Sequence, residues 1–174
     1  MASSTDLVRD LLLDGFGRVV QGVDAVLEGL TPDDLRWRPD PGANPIGWLL
    51  WHLLRQQDAQ LCALSGDEQA WTAEGWGARF GLPYGQRATG FGQDAEEVGR
   101  LEVADPALLS GYAAAVGART RRLVEGLGEA DYARVVDDRW DPPVTLAVRV
   151  YSVLEDAAKH LGQAEYVRGM LSRR

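Results

Sequence analysis

The sequence predicts an all-α fold, a four-helix bundle with a long crossover between its second and third helices, occupying residues 1–174 as one domain. Three observations predict it. Apolar residues recur at three- and four-residue steps in four long segments, the period of a helix with one buried face. Those segments open at capping residues or at a cap followed by proline. Between them, no convincing run of alternating apolar and polar residues reads as a strand. A chain of 174 residues lies in the one-domain range. It is long enough to bury a core without a disulfide or structural metal.

The first helix is expected from about Thr5 to Leu30, with Leu7, Leu11, Phe16, Val19, Val23, Leu27 and Leu30 on its apolar face and Ser4 or Thr5 as its cap. Thr31-Pro32-Asp33-Asp34 then starts a new short turn. Asn44 as cap and Pro45 at the first helical position open the second helix, which Gly66 ends after Ser65. Its first half is apolar nearly all round, from Ile46 through Trp48, Leu49, Leu50, Trp51, Leu53 and Leu54, so it is buried on several faces. Asp105-Pro106 opens the third helix by the same cap-then-proline logic. Thr145, or the residues just before it, opens the fourth, whose stripe runs through Leu146, Val150, Val153, Ala157, Leu161 and Ala164 to about Leu171. The stretch from Gly66 to Ala104 is far longer than a usual bundle connection. That length permits helices 2 and 3 to be other than antiparallel neighbours. It holds Trp71, Trp76, Phe80, Tyr84 and Phe91 among glycines, which reads as a packed lid with short helices near Ala73–Arg79 and Asp94–Val98.

Charge and composition exclude several classes. There are 26 Asp and Glu against 18 Lys and Arg, a net charge of −8, which repels a phosphate backbone and argues against nucleic-acid binding. The run Ile46–Leu54 is interrupted by His52 and falls well short of the roughly 20 residues that span a bilayer, so no membrane segment is expected. Asp6, Arg9, Asp10 and Asp14 break any signal-peptide core, and the single Cys62 makes no internal disulfide. The expected location is cytoplasmic.

The two histidines, His52 and His160, both fall inside helices. Asp156 and His160 lie about 40° apart on one face of the fourth helix, and Gln163 continues that face. An imidazole from one helix can meet a carboxylate and an imidazole from another in a bundle interior, leaving a coordination position open for water or substrate. By spacing alone, the same residues also read as an ordinary i,i+4 polar pair and a satisfied core histidine.

The motif Asn44-Pro45-Ile46-Gly47-Trp48-Leu49-Leu50-Trp51-His52-Leu53, followed by Asp156-x-x-x-His160-Leu161-Gly162-Gln163, resembles the DinB-like superfamily of metalloenzymes. The closest similarity is to the branch of actinobacterial mycothiol transferases and the N-terminal domain of mycothiol-dependent maleylpyruvate isomerase. The resemblance implies a metal site built from His52, Asp156 and His160. Many relatives carry histidine or glutamate at the place of Asp156. Aspartate is one methylene shorter, so the ion sits nearer the fourth helix or a water intervenes. Some relatives carry histidine at the place of Gln163. Glu155, a rival carboxylate, is rotated about 100° away. The sequence stops at Arg174 without the isomerase's second domain, so transfer rather than isomerisation is expected.

A divalent metal enzyme follows from the resemblance, with zinc as the default ion and nickel, manganese or iron as alternatives. Its expected cosubstrate is a low-molecular-weight thiol of the mycothiol type, which would attack a small electrophile as a thiolate. Metal-assisted hydrolysis and a non-catalytic metal- or ligand-binding stress-response bundle are the alternatives, and homodimerisation is a reasonable expectation for such long apolar helices. Trp48 and Gln56 share the His52 face at one turn either side, and Trp76 and Tyr84 in the crossover are placed to cover the site. Trp48, Gln56, Trp76 and Gln163 are therefore the candidate substrate-binding residues. Arg149 is a candidate for an anionic group on the thiol, Arg168 a helix-dipole contact, and Cys62 a small core residue.

Overall fold

A computed structural model describes residues 3–173. Helix α1 spans Ser4–Leu27. Its cap is Ser3, one residue earlier than expected, in a reciprocal arrangement with Asp6. It ends at Leu27 rather than Leu30, because Gly29 at φ 73° turns the chain into the next element. The short α2 (Pro32–Arg36) follows, capped by Thr31.

Helix α3 runs Ile46–Ser65 and stops at left-handed Gly66. Its N-cap is Pro45 rather than Asn44, with no side-chain cap. Extended Pro45 (φ −75°, ψ 159°) instead offers its carbonyl to the Leu49 amide. The crossover holds α4 (Ala70–Ala73), α5 (Trp76–Phe80) and α6 (Ala95–Gly99). The single short helix expected near Ala73–Arg79 is thus two pieces, broken where Gly75 takes φ 71°. Helix α7 (Pro106–Glu125) is capped by Asp105, and α9 (Leu146–Leu171) by Thr145.

Between α7 and α9 lie α8 (Glu129–Ala133) and a two-stranded antiparallel ladder of β1 (Val135–Asp137) and β2 (Val144–Thr145). The sequence reading missed these elements. Strands of three and two residues are too short to show a period of two.

Helix directions follow from the contacts. Gly15 faces Leu154 and Gly22 faces Leu161, so α1 and α9 advance together and are parallel. Val20 lies against Gly117, while Asp24 accepts from Ser110, so α1 and α7 are antiparallel. α3 and α9 are also antiparallel, His52 lying near His160 and Leu49 near Gln163 and Val167. Consequently α3 and α7 run in the same direction. Each of α1 and α3 packs on both α7 and α9, which makes α1 and α3 diagonal partners. A parallel neighbouring pair cannot be joined by a tight loop; the chain must return along the whole length of a helix about 30 Å long. That requirement explains the length of the crossover.

The crossover is fastened to α3 by buried polar groups. Asp58, buried, accepts from the amides of Ala70 at 3.0 Å and Trp71 at 2.9 Å and from the Tyr112 hydroxyl at 2.8 Å. Arg55, also buried, lies 3.6 Å from the same carboxylate and donates to Gln69, Tyr112 and the Ala88 carbonyl. Trp51, Trp71, Phe80 and Tyr112 fill the space around this network with ring centroids 5.4 to 6.4 Å apart in contacting pairs. Among the described residues, no helix is long and apolar enough to cross a membrane.

Replacing one partner of a buried ion pair strands the other, at a cost of about 3–5 kcal/mol. Asp58→Ala is therefore expected to lower the unfolding free energy by about that amount in urea titrations. Asp14→Ala, which removes an exposed pair with Arg18, should leave the midpoint unchanged within error.

Candidate metal centre

His52 sits in the second turn of α3, where the helix is buried on several sides, and its side chain is almost wholly enclosed. Asp156 and His160 lie one turn apart on α9 beside the buried stripe of Val153, Ala157, Leu161 and Ala164. Antiparallel packing of α3 on α9 brings the three together, so that one donor atom from each lies within 4.8 Å of the others. The two imidazoles meet edge to face with centroids 4.6 Å apart. His160 Nε2 is 3.7 Å from Asp156 Oδ1.

Hydrogen bonds around the rings decide which nitrogen each can offer. His52 Nδ1 lies 2.5 Å from the Thr89 carbonyl oxygen. A carbonyl has no proton to give, so the ring donates from Nδ1 and keeps a lone pair on Nε2. His160 Nδ1 is 3.0 Å from Gln163 Oε1 in the same arrangement, with Nε2 on the side of Asp156. Metal-binding imidazoles are commonly held this way, the outer nitrogen donating to an oxygen that fixes tautomer and orientation.

Burial pushes the His52 pKa below its ordinary value, and neighbouring His160 acts in the same direction; the Thr89 carbonyl and Asp156 pull the other way. The net result favours the neutral imidazole, the form a metal ligand must take. Two nitrogens and a carboxylate oxygen suit a borderline divalent ion such as zinc, and three protein ligands leave a position open. The donor set and its orientation thus fit such an ion.

Trp48 stacks on His52, with centroids 4.5 Å apart and planes within 10°, and its indole N–H donates to Gln93 at 2.8 Å. Gln56 lies one turn beyond His52 and is half-buried. Gln163 is exposed and bonds His160, so it orients a histidine. Trp76 instead packs on Tyr112 and Gly111 of α7, and Tyr84 packs on Trp51 and donates to the Glu97 carbonyl. Neither ring contacts His52 or His160. Arg149 pairs with Asp137 of β1, Arg168 donates to the carbonyls of Ala25 and Glu28 at the C-terminal end of α1, and Glu155 pairs with Lys159. Cys62 is buried beside Asp58, and burial pushes its thiol up to about 12.

Sequence reasoning missed Thr89, Gly90 and Gln93. Gly90 has φ 91°, and a Cβ there would sit 2.7 Å from His52 Nδ1 and 3.0 Å from the Trp48 ring. Only glycine allows the crossover to lie this close to the histidine. Its signal in the sequence was the Gly90-Phe91-Gly92 triplet. The Thr89 contact uses a main-chain carbonyl and leaves no signature in residue type.

The family model described as "DinB superfamily" matches residues 16–164. The chain belongs to the DinB superfamily. A solved structure described as "Crystal structure of the conserved protein of locus from Enterococcus faecalis" is similar to this DinB-superfamily chain at 30% identity and a TM-score of 0.89, covering 95% of this chain and 97% of that one. Among curated proteins none matches.

A histidine whose folded pKa is depressed contributes stability that is fully present above its unfolded value of about 6.5 and is lost as the pH falls through the folded value. In metal-free protein, urea unfolding at pH 7 and pH 5 should show a loss of stability on acidification. That loss should be smaller in His52→Gln, because glutamine does not titrate.

Proposed function

We propose that this DinB-superfamily chain is a divalent-metal-dependent enzyme that transfers a low-molecular-weight thiol to a small electrophile. The observation that carries the proposal is the convergence of His52, Asp156 and His160, with both Nδ1 atoms already engaged by Thr89 and Gln163. Superfamily membership, in which divalent metal is often bound, supports it. Zinc is the ion favoured by this donor set, with nickel, manganese and iron as alternatives.

When bound, such an ion supplies Lewis acidity that lowers the pKa of a coordinated thiol or water. His52 and His160 would hold such an ion through their imidazoles, and Asp156 would add a carboxylate oxygen. Trp48 shields His52 from solvent on its stacked face. Cys62, buried and with its thiol pushed up to about 12, is a poor nucleophile, so the attacking group comes from solution. Water and a small thiol both meet that requirement, and the resemblance of the Asn44–Leu53 and Asp156–Gln163 motifs to the mycothiol branch is what favours the thiol. The reaction is assigned to the cytoplasm, where small thiols are kept reduced.

The test supplies zinc-loaded protein with an aryl halide or haloalkyl electrophile, with and without a cysteine- or glucosamine-based thiol. Thioether formation that requires the enzyme and falls at least about 100-fold in His52→Ala is the expected result. Breakdown of an ester or amide panel without added thiol would replace transfer by hydrolysis. Metal binding with no turnover on either panel would replace it by a binding module.

A further inference from the structure

The Thr89 carbonyl that orients His52 belongs to a crossover segment with little secondary structure of its own, between α5 and α6. Its position is set one residue earlier. Arg55, only 1% exposed, donates from Nε to the Ala88 carbonyl at 3.1 Å. The guanidinium is itself fixed on several sides: Nη1 donates to Gln69 at 3.0 Å and to the Tyr112 hydroxyl at 3.2 Å, and the group lies 4.6 Å over the Trp71 ring. Arg55 and His52 are three residues apart on α3, so they share one face and reach the same crossover segment. Gly90 then closes against the His52 ring.

Stability alone is a poor reason for a buried Arg55–Asp58 pair, because apolar side chains of similar volume in place of both residues often serve as well. An apolar side chain cannot hold a main-chain carbonyl at a fixed point. Arg55 does so at the carbonyl immediately before the one that accepts the hydrogen bond from His52 Nδ1.

We infer that Arg55 is a positioning residue for His52: by holding residues 88–89 it fixes the Thr89 carbonyl, and with it the Nδ1–H tautomer and the ring orientation that presents Nε2 to Asp156 and His160. Its consequence for metal affinity rests on the metal-centre reading; its consequence for the tautomer does not.

The imidazole nitrogen shifts of His52 in nitrogen-15-labelled, metal-free protein report which nitrogen carries the proton, and cobalt(II) titration followed by visible absorption reports affinity. Wild type should show Nδ1–H. Arg55→Lys keeps the charge but loses the fork that reaches Ala88, Gln69 and Tyr112 together. It should mix the tautomers and weaken cobalt binding by about 10–100-fold, the usual effect of losing an outer partner. The double variant Arg55→Met with Asp58→Asn removes both buried charges while keeping an acceptor for the Ala70 amide, and should do the same if Arg55→Lys fails to fold. Thr120→Val, which breaks the buried bond from Gln57 on the same helix, should lower stability yet leave tautomer and affinity unchanged. A wild-type proton on Nε2, or an unmixed Nδ1–H tautomer in the folded Arg55 variants, overturns the inference. A wild type that keeps Nδ1–H but binds no cobalt overturns the metal-centre reading, and the Arg55 variants then decide the inference by tautomer alone.

Discussion

Asp58 is the fixed point from which the structure can be understood. Two neighbouring helices of this bundle, α3 and α7, run parallel, so the chain must return along the bundle before α7 begins. A return of that length has no ladder to hold it, and its main-chain donors need partners once buried. Asp58 supplies two of those partners at the amides of Ala70 and Trp71, and binds α7 through Tyr112. Arg55 balances its charge and reaches the middle of the crossover at Ala88. The Trp51, Trp71, Phe80 and Tyr112 rings pack around this pair, so the polar network and the aromatic cluster are one construction.

The candidate metal centre grows out of the same arrangement. α3 contributes His52 from its most enclosed turn, and α9, antiparallel to it, contributes Asp156 and His160. The crossover completes the site from outside by accepting hydrogen bonds from His52 Nδ1–H at the Thr89 carbonyl and from the Trp48 indole N–H at Gln93. The lid and the ligand set are therefore coupled through hydrogen bonds. On the other side Gln163 serves His160 from its own helix, a local device that needs no help from the crossover.

What was legible in the sequence followed the reach of each signal. The four long helices were readable because apolar periodicity over twenty residues is redundant, and because Asp105, Thr145 and Gly66 mark their ends chemically. Asn44 misled by one residue because proline after it satisfies the first-turn rule equally well from the cap position. The β1–β2 ladder was invisible at two to three residues per strand. In the site, helical spacing placed Asp156 beside His160, and the resemblance to the DinB-like superfamily singled out His52, Asp156 and His160 as a ligand set. Trp76 and Tyr84 were legible only as aromatics in a lid, and their packing on α7 and Trp51 was set by tertiary contacts. Thr89 was unreadable because its contribution is a peptide carbonyl, which every residue possesses.

The central claim is that His52, Asp156 and His160 hold a divalent ion. Elemental analysis of untagged protein purified without chelators tests it most directly, since a tag would bind metal itself. About one divalent ion per chain is expected in the wild type, falling to background in His52→Ala and Asp156→Ala. No bound metal in folded wild type, even after reconstitution with zinc, nickel and manganese, would contradict it and leave the three residues as a polar seam between α3 and α9.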